Sequence, residues 1–374
     1  MQKTSLIHLS SFLFVLLCIL LFSACDKEPC LPTRYEFEPM NYEGQLLRLD
    51  MTERISDLID SSLNSSMPNV LSVIQSLSNM YVNTQNAYNE ARLDTCGKQL
   101  SNKTISSEQS AISQYIDALS NILTNTTTPA SKGQSGVVFA NNGTPYYIDS
   151  NGVELKQIIE KGIMGACFYY QATAVYLGDG KMNVDNQEVV VGKGTDMEHH
   201  WDESFGYLGA PVDFNNASQD VRFWAKYVQT VSQTYTPLRD ELFSNYIKGR
   251  VAIGQDNLTD RDQAIYEIRK NWEILVAGTA IHYLNAAIAS YNSGDTGKYH
   301  HQLSEAYMFI HSLKFGARTS SLTTLAIDDL LISTFGSTSP LSIDLYQCSL
   351  TQLENLKSAI VQSIAELAPH KDQL

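Results

Sequence analysis

Residues 152–177 constrain the fold more than any other stretch, because they are apolar nearly all round. Ile158, Ile163, Phe168 and Val175 are spread round the helix that this spacing would form. A surface helix of a globular protein has one apolar stripe, whereas a helix that is apolar on all sides is buried among others. The segment therefore predicts the central helix of an all-α bundle.

Amphipathic helices should surround this central one, because apolar residues recur every three or four positions in several further segments. These segments are 52–91 with a break near Pro68, 106–123, 196–208, 218–249 with a bend at Pro237, 260–291, 296–315, 327–332 and 344–368. Residues 137–147, with Asn-Asn-Gly at 141–143, predict a small β-hairpin. We expect one all-α domain over residues 35–374, or two bundles covering about 45–210 and 216–370.

The N-terminus has the pattern of an exported lipoprotein. Lys3 precedes an apolar run at residues 11–22, and Ser23 and Ala24 then lead to Cys25. A basic start, a short apolar run and small residues before a cysteine are typical of a signal peptide with a lipobox. We expect 1–24 to be the signal peptide, Cys25 to be the lipid anchor and 25–34 to be a tether. The alternative is an ordinary cleavable signal followed by an accidental cysteine.

This signal sequence predicts a protein of the bacterial cell envelope, held in the outer membrane by its lipid and facing the periplasm or the cell surface. The chain has 40 acidic residues against 26 Lys and Arg, a net charge of −14. Such an excess of negative charge argues against nucleic acid and against anionic lipid surfaces as partners. The expected contact with a membrane is therefore the lipid anchor alone.

The cysteines do not form a metal-binding pattern. Cys30, Cys96, Cys167 and Cys348 are far apart and contain no Cys-x-x-Cys motif, which argues against thiolate zinc or iron–sulfur sites. Export permits disulfides, and the sequence leaves their pairing open. Cys167 lies in the apolar central segment, which predicts a buried free thiol.

The stretch from Glu198 to Gly209 concentrates the chemistry of the chain, with two histidines and three carboxylates at positions 198–203. On a helix, His199 and Asp202 share a face, and so do His200 and Glu203. The two pairs are offset by about 100° around the helix axis, so they cannot all point the same way. One pair should face inward, and the other should face water or a neighbouring helix.

Imidazole nitrogens and carboxylate oxygens suit iron, zinc or manganese, and a spacing of three lets both side chains reach one ion. Two residues on one helix cannot complete a site, so other ligands are needed. The candidates are His282, His311 and Glu198. The alternative is structural: the histidines and acids cap the helix or satisfy buried hydrogen bonds, and Trp201 is a core residue.

The patterns of familiar catalytic sites are missing from the sequence. It contains no His-Glu-x-x-His, no glycine-rich phosphate loop and no Gly-x-Ser-x-Gly. This favours a binding protein over an enzyme, although it leaves enzymatic activity open.

The motif His200-Trp201-Asp202-Glu203 resembles the His-x-x-Glu of imelysin-like proteins. That resemblance implies an exported, all-α protein built of helical bundles and linked to iron acquisition. The imelysin pattern has glycine where this chain has Glu198, so its metal site is carried over to His200 and Glu203 alone. A longer resemblance is to an uncharacterised family of Bacteroidetes lipoproteins. It rests on the string Glu198 to Gly209, on Tyr35-x-Phe37 and on Asn41-Tyr42-x-Gly44-Gln45.

The sequence thus predicts a lipid-anchored, extracytoplasmic protein that binds iron, or zinc, or an iron-bearing ligand. His200 and Glu203 would form the site, with His199 and Asp202 as a second pair. One alternative is a metal-dependent hydrolase, with Glu203 as the base beside a metal-bound water. Another is a metal-free scaffold or glycan-binding lipoprotein. The sequence does not decide the oligomeric state.

Overall fold

Helices make up nearly all the regular structure of the protein. The structure, a computed structural model, describes residues 31–216 and 220–374. The expected signal peptide, the anchor Cys25, Cys30 and the start of the tether lie outside the described residues. In chain order the helices are α1 Glu43–Leu63, α2 Val70–Val82, α3 Ala91–Asp94, α4 Gln109–Leu123, α5 Leu155–Ile163, α6 Asp179–Met182, α7 Asp196–Gly206, α8 Trp224–Ser232, α9 Pro237–Gly254, α10 Leu258–Asn292, α11 Thr296–Ser312, α12 Thr324–Phe335 and α13 Leu350–Ser363.

Tighter 3₁₀ segments connect or end these helices. They cover Ser101–Lys103, Pro340–Ser342, Leu345–Gln347 and Ala365–His370. Residues Arg34–Leu374 form one compact unit. The predicted all-α class is confirmed for the described residues.

The predicted hairpin is also confirmed. Strand β1 (Gly136–Phe139) pairs antiparallel with β2 (Pro145–Ile148), with Val137 opposite Tyr147. Gly143 in the connecting turn has a φ of +87°, a conformation that glycine adopts without steric cost. These are the two strands among the described residues, so the hairpin is an addition to a helical fold.

Proline marks the helix boundaries that the sequence suggested. The expected break near Pro68 separates α1 from α2, and the Asn69 side chain caps α2 by accepting from the Ser72 amide at 3.2 Å. The expected bend at Pro237 is a complete break, because α8 ends at Ser232 and α9 begins at Pro237. Proline lacks an amide proton and suits the first turn of a helix, so it starts α9 and does not merely bend a longer helix.

The central segment is buried as predicted, but in an unpredicted form. Helix α5 continues without a break into a π-helix, Met164–Val175, whose wider turns end with the Tyr176 amide bonded to the Gln171 carbonyl at 2.8 Å. Side chains of neighbouring helices donate to the carbonyls of this wide helix. They are Trp224 to Met164, Ser204 to Ala172 and Arg269 to Thr173. The π-helix is thereby fixed against α7, α8 and α10.

Helix α10 is the long core helix of the second half. It packs against α9 on one side and α11 on the other. Its length and apolar composition would suit a membrane span, but most of that stretch is buried inside the bundle, as in the core helix of a globular fold. Trp272 lies at its centre, fully buried.

The cysteines of the described residues form no disulfide. Cys167 is fully buried in the π-helix as a free thiol, which confirms its prediction. Cys348 is also buried, and Cys96 is partly exposed.

Candidate functional site

Helix α7 begins with a capping box. The Glu198 amide donates to the Thr195 hydroxyl at 3.2 Å, and the Thr195 amide donates to the Glu198 carboxylate at 2.9 Å. This reciprocal pair satisfies two amides that the start of a helix otherwise leaves without partners. A tight turn before it is closed by two backbone bonds between Val190 and Gly194. Turn and cap together fix where α7 starts, and so which way each later side chain points.

One side of α7 is anchored by an arginine of α9. Arg250 donates from Nε to Asp202 Oδ1 at 3.1 Å and forms a second ion pair with Glu198. The Tyr35 hydroxyl donates to the same Asp202 oxygen at 2.7 Å. Asp202 is fully buried, and burial raises its pKa to about 6 although Arg250 opposes the shift. The predicted ligands Asp202 and Glu198 are therefore held inside the bundle by Arg250.

The aromatic residues of α7 pack into the core. Trp201 donates from Nε1 to the Tyr246 carbonyl at 2.9 Å. The Phe205 ring stacks on Tyr35 with 3.8 Å between ring centroids. Trp201 thus occupies the core position expected of it in the structural alternative. These contacts hold α7 firmly, so its polar side is presented on a rigid support.

The other side of α7 carries His200 and Glu203, which meet as their spacing predicted. His200 Nδ1 lies 3.0 Å from Glu203 Oε2, and Gln45 of α1 donates to Glu203 Oε1 at 2.9 Å. Across the ring, Lys181 Nζ lies 3.3 Å from His200 Nε2. An ammonium group only donates, so Nε2 accepts and Nδ1 carries the proton shared with Glu203. In this arrangement the Nε2 lone pair of His200 already accepts from Lys181.

Glu203 is held in its charged form. Burial alone would raise its pKa, but hydrogen bonds from His200 and Gln45 and the neighbouring histidines together lower it to about 2. Hydrogen bonds made to a carboxylate favour its ionised state. A general base works best with a pKa near the operating pH, so Glu203 is better suited to binding than to taking a proton.

His199 lies on the same side of the helix. Its Nε2 is 3.8 Å from Glu203 Oε2, so it approaches the carboxylate four residues on and not Asp202 three residues on. Its Nδ1 is buried without a hydrogen-bond partner among the described residues, and burial lowers the pKa of the ring. Buried polar atoms are normally satisfied, so the Nδ1 of His199 has bonding capacity to spare.

A cavity of about 420 Å³ lies beside this side of α7. Glu203 and His199 form part of its wall, and Gln45 of α1, which donates to Glu203, lines it as well. Four cationic side chains from separate parts of the chain also line it: Arg48, Lys98, Lys103 and Lys193. Among the described residues that line it, Glu43 and Glu203 alone carry negative charge. We call this space the basic cavity.

Two cations of the basic cavity, Arg48 and Lys103, are held by neutral partners. Arg48 is buried on α1 and donates to the carbonyl oxygens of Gln99 at 2.8 Å and Gly44 at 2.9 Å. Lys103 donates to the Tyr176 hydroxyl at 2.9 Å. Within residues 31–216 and 220–374, no carboxylate forms an ion pair with any of the four. Among the described residues, the four cations that line the cavity therefore outnumber its two carboxylates, Glu43 and Glu203.

The remaining candidate ligands lie away from the basic cavity. His311 is buried on α11, 3.4 Å from Glu108 and stacked on Tyr307. His282 is half-buried on α10 against Tyr283. Burial lowers the pKa of both rings. Neither is brought to α7, and the described residues contain no cluster of three His, Cys, Asp or Glu side chains arranged to hold a metal.

Sequence reasoning found one wall of the cavity and missed the others. The signal for Gln45 was present in the string Asn41-Tyr42-x-Gly44-Gln45, which the structure brings against α7. A Cβ on Gly206 would come within 2.8 Å of the Tyr42 Cβ and 2.9 Å of the Gln45 Cβ, so glycine permits this contact. The lysines carried no local signal, because single lysines are common on any protein surface.

Comparison with known families gives one match. The model of a domain of unknown function, DUF4856, covers residues 32–338, which is most of the chain. No curated protein and no solved structure matches the chain.

Proposed function

Because the chain belongs to the DUF4856 family, whose function is unknown, we propose a function from its own geometry: it is a binding protein whose ligand occupies the basic cavity. We propose further that the ligand is iron in complexed form. The observation that carries this proposal is the position of Glu203 and His199 on one wall of a cavity of about 420 Å³. Ligand pockets of small molecules have volumes of this order.

The arrangement favours an iron complex over a bare ion. The Nε2 of His200, the nitrogen with a lone pair to offer, already receives the Lys181 ammonium at 3.3 Å. A bare cation would also enter a space lined by four other cations, which repel it. An iron complex brings its own ligands and can carry negative charge. Its negative groups would be attracted by the cations, and its metal would face Glu203 and His199.

The same geometry favours binding over the hydrolase alternative. Glu203, the residue that would act as base, has a pKa lowered to about 2 by the hydrogen bonds it accepts. Such a carboxylate binds protons too weakly to serve well as a general base near neutral pH. It remains suited to accepting a hydrogen bond or binding a metal already held by another molecule.

The proposed location follows from the sequence. The signal pattern at 1–24 and Cys25 support export and lipid anchoring at the outer membrane. The resemblance of His200 and Glu203 to the imelysin His-x-x-Glu supports a place in iron acquisition. We therefore propose the outer membrane as the location of the protein and iron acquisition as its role.

Metal content and ligand retention test the proposal. The soluble chain, residues 26–374, would be incubated with Fe(III) as its citrate complex, with Fe(II) or with Zn(II), then desalted and analysed for metal. We expect iron to be retained when it is supplied as the complex. Retention should fall in Glu203→Gln and His199→Ala, since both side chains line the cavity.

His282→Ala is the matched control, because it removes a half-buried histidine of α10 outside the cavity. It should retain iron like the wild type. Circular dichroism would establish that each variant is folded. Iron retained equally by all four proteins, or by none of them, would refute the proposal.

A further inference from the structure

The charge of the basic cavity is opposite to that of the whole chain. The protein has a net charge of −14, yet four of the residues that line this cavity are cationic and two are acidic. We infer that the cavity binds an oxyanion, a small molecule with carboxylate or phosphate groups, held by Arg48 and Lys103. This inference rests on the proposed function, because it takes the same cavity as the ligand site and names the chemistry of its ligand.

Arg48 is the strongest element of this inference. It is 4% exposed, and its two hydrogen bonds in the described structure go to the backbone carbonyls of Gln99 and Gly44. A guanidinium has five N–H donors, so three are left over on the side chain that lines the cavity. A buried charge without a counter-ion is costly, and a bound anion would remove that cost. The planar guanidinium matches carboxylate and phosphate groups in particular.

Lys103 lies in the same cavity and is affected by Arg48. Its ammonium donates to the Tyr176 hydroxyl and lies 5.1 Å from the centre of that ring. Burial, and next the positive charge of Arg48, lower the pKa of Lys103. Two cations that disfavour each other in one cavity are both stabilised when an anion sits near them.

Glu203 forms no direct ion pair with these cations, although its charge raises the pKa of Lys103 and so partly opposes the effect of Arg48. Its carboxylate accepts from His200 and Gln45, and none of the four cationic residues is within ion-pair distance of it in the described structure. Tyr176, whose hydroxyl is bound by Lys103, has a pKa raised by burial and by Glu203. It therefore remains a neutral phenol and adds no negative charge beside Lys103.

Lys98 and Lys193 extend the positive surface of the cavity. Lys98 packs over Gly44, where a Cβ would come within 3.1 Å of its Cε, so the missing side chain leaves room for it. Lys193 is exposed in the closed turn before α7. An exposed charge such as Lys193 raises the rate at which a ligand of opposite charge arrives more than it strengthens the complex.

Isothermal titration with iron-free anions tests this inference on residues 26–374. The probes would be citrate, for carboxylate groups, and inorganic phosphate, each at low and high salt. We expect at least one of them to bind in the absence of metal. Binding of citrate alone would indicate a carboxylate ligand, binding of phosphate alone a phosphorylated one, and either result supports the inference.

The variant Lys103→Met keeps the length of the side chain and removes its charge. Because it removes a charge-assisted hydrogen bond, the dissociation constant should rise about 10-fold or more. Lys193→Met should raise it less, and mostly at low salt. Lys248→Met, at an exposed lysine of α9 outside the cavity, is the control and should leave it unchanged. Arg48→Met should abolish binding, provided that circular dichroism shows it to be folded.

The two proposals fail in different ways. If neither anion binds, or if Lys103→Met binds as tightly as Lys248→Met, the oxyanion inference is wrong. Iron retention that still depends on Glu203 would then leave the proposed function standing. If the anions bind through Lys103 but no form of iron is retained, the oxyanion inference holds and the assignment of iron is wrong.

Discussion

Replacing Arg250 with methionine tests the division of α7 into an anchored side and a binding side. Arg250 is 4% exposed and pairs with the fully buried Asp202 as well as with Glu198. Methionine fills similar space without charge, so the variant leaves Asp202 buried with two neutral partners, the Tyr35 hydroxyl and the Asn41 backbone. Breaking a buried ion pair by removing one partner costs about 3–5 kcal/mol of folding free energy.

The folding free energy lost in Arg250→Met should be larger at neutral pH than at acidic pH. Asp202 has a pKa raised to about 6, so it is charged at about pH 7.5 and mostly protonated at about pH 5. At the lower pH the wild type has already lost most of the Asp202–Arg250 ion pair. Removing Arg250 should then cost less, about 1.5–3 kcal/mol, the scale of the hydrogen bonds that it still makes to Glu198 and to the Pro39 carbonyl.

Equilibrium urea unfolding, followed by far-ultraviolet circular dichroism at both pH values, measures these differences. The matched control is Arg54→Met, because Arg54 lies on α1 with half of its side chain exposed, paired to Asp57 and Glu90. Exposed ion pairs contribute about 0–1 kcal/mol. The reasoning is refuted if Arg250→Met costs no more than Arg54→Met at about pH 7.5, or if its cost is the same at both pH values.

Three further predictions follow from the packing and charge of the site. Gly206→Ala should destabilise the protein by about 1–2 kcal/mol, because the added Cβ would collide with the side chains of Tyr42 and Gln45. Gly180→Ala is the control and should not destabilise it, because a Cβ there meets nothing within 4 Å. Equal effects of the two changes in urea unfolding would contradict this prediction. The pKa of Glu203 is lowered from its ordinary value of 4.5 to about 2, so the charged carboxylate stabilises the fold fully at pH values above 4.5. Roughly 3 kcal/mol of unfolding free energy should be lost as the pH falls towards 2. The difference in unfolding free energy between wild type and Glu203→Gln should shrink over that range, and a constant difference would argue against it. In the native protein a thiol reagent should label Cys96, which lines the basic cavity. It should spare Cys167, because burial raises the pKa of that thiol to about 12. Peptide mapping by mass spectrometry measures the labelling, and a labelled Cys167 would show that the prediction is wrong.

Local patterns in the sequence predicted the helices well because each helix is specified by nearby residues. The apolar spacing of residues 260–291 predicted α10, which runs Leu258–Asn292, almost to its ends. Pro68 and Pro237 both mark real breaks, since the lost amide acts at the proline itself. The π form of Met164–Val175 was not predictable in this way, because its carbonyls are satisfied by side chains far away in the sequence.

The candidate site shows the same division between near and distant contacts. The meeting of His200 with Glu203 follows from a spacing of three on one helix, and the structure has it at 3.0 Å. The i, i+3 rule could not decide that Asp202 points to Arg250 while Glu203 points to the basic cavity. That choice depends on an arginine 48 positions away, which the sequence gives no reason to select.

The basic cavity explains why a search for metal ligands alone described this site incompletely. Histidines and acids draw attention because they cluster in six consecutive positions, whereas Arg48, Lys98, Lys103 and Lys193 come from three separate segments of the chain. Folding brings those segments together by contacts that have other causes: Gly206 admits α1 against α7, and the capping box fixes the turn that carries Lys193. The carboxylate that looked like a metal ligand already accepts two hydrogen bonds, and its neighbour His200 accepts a third from Lys181. The cavity has more positive than negative charge in its lining, and that excess is a property of the assembled fold which no single stretch of the sequence contains.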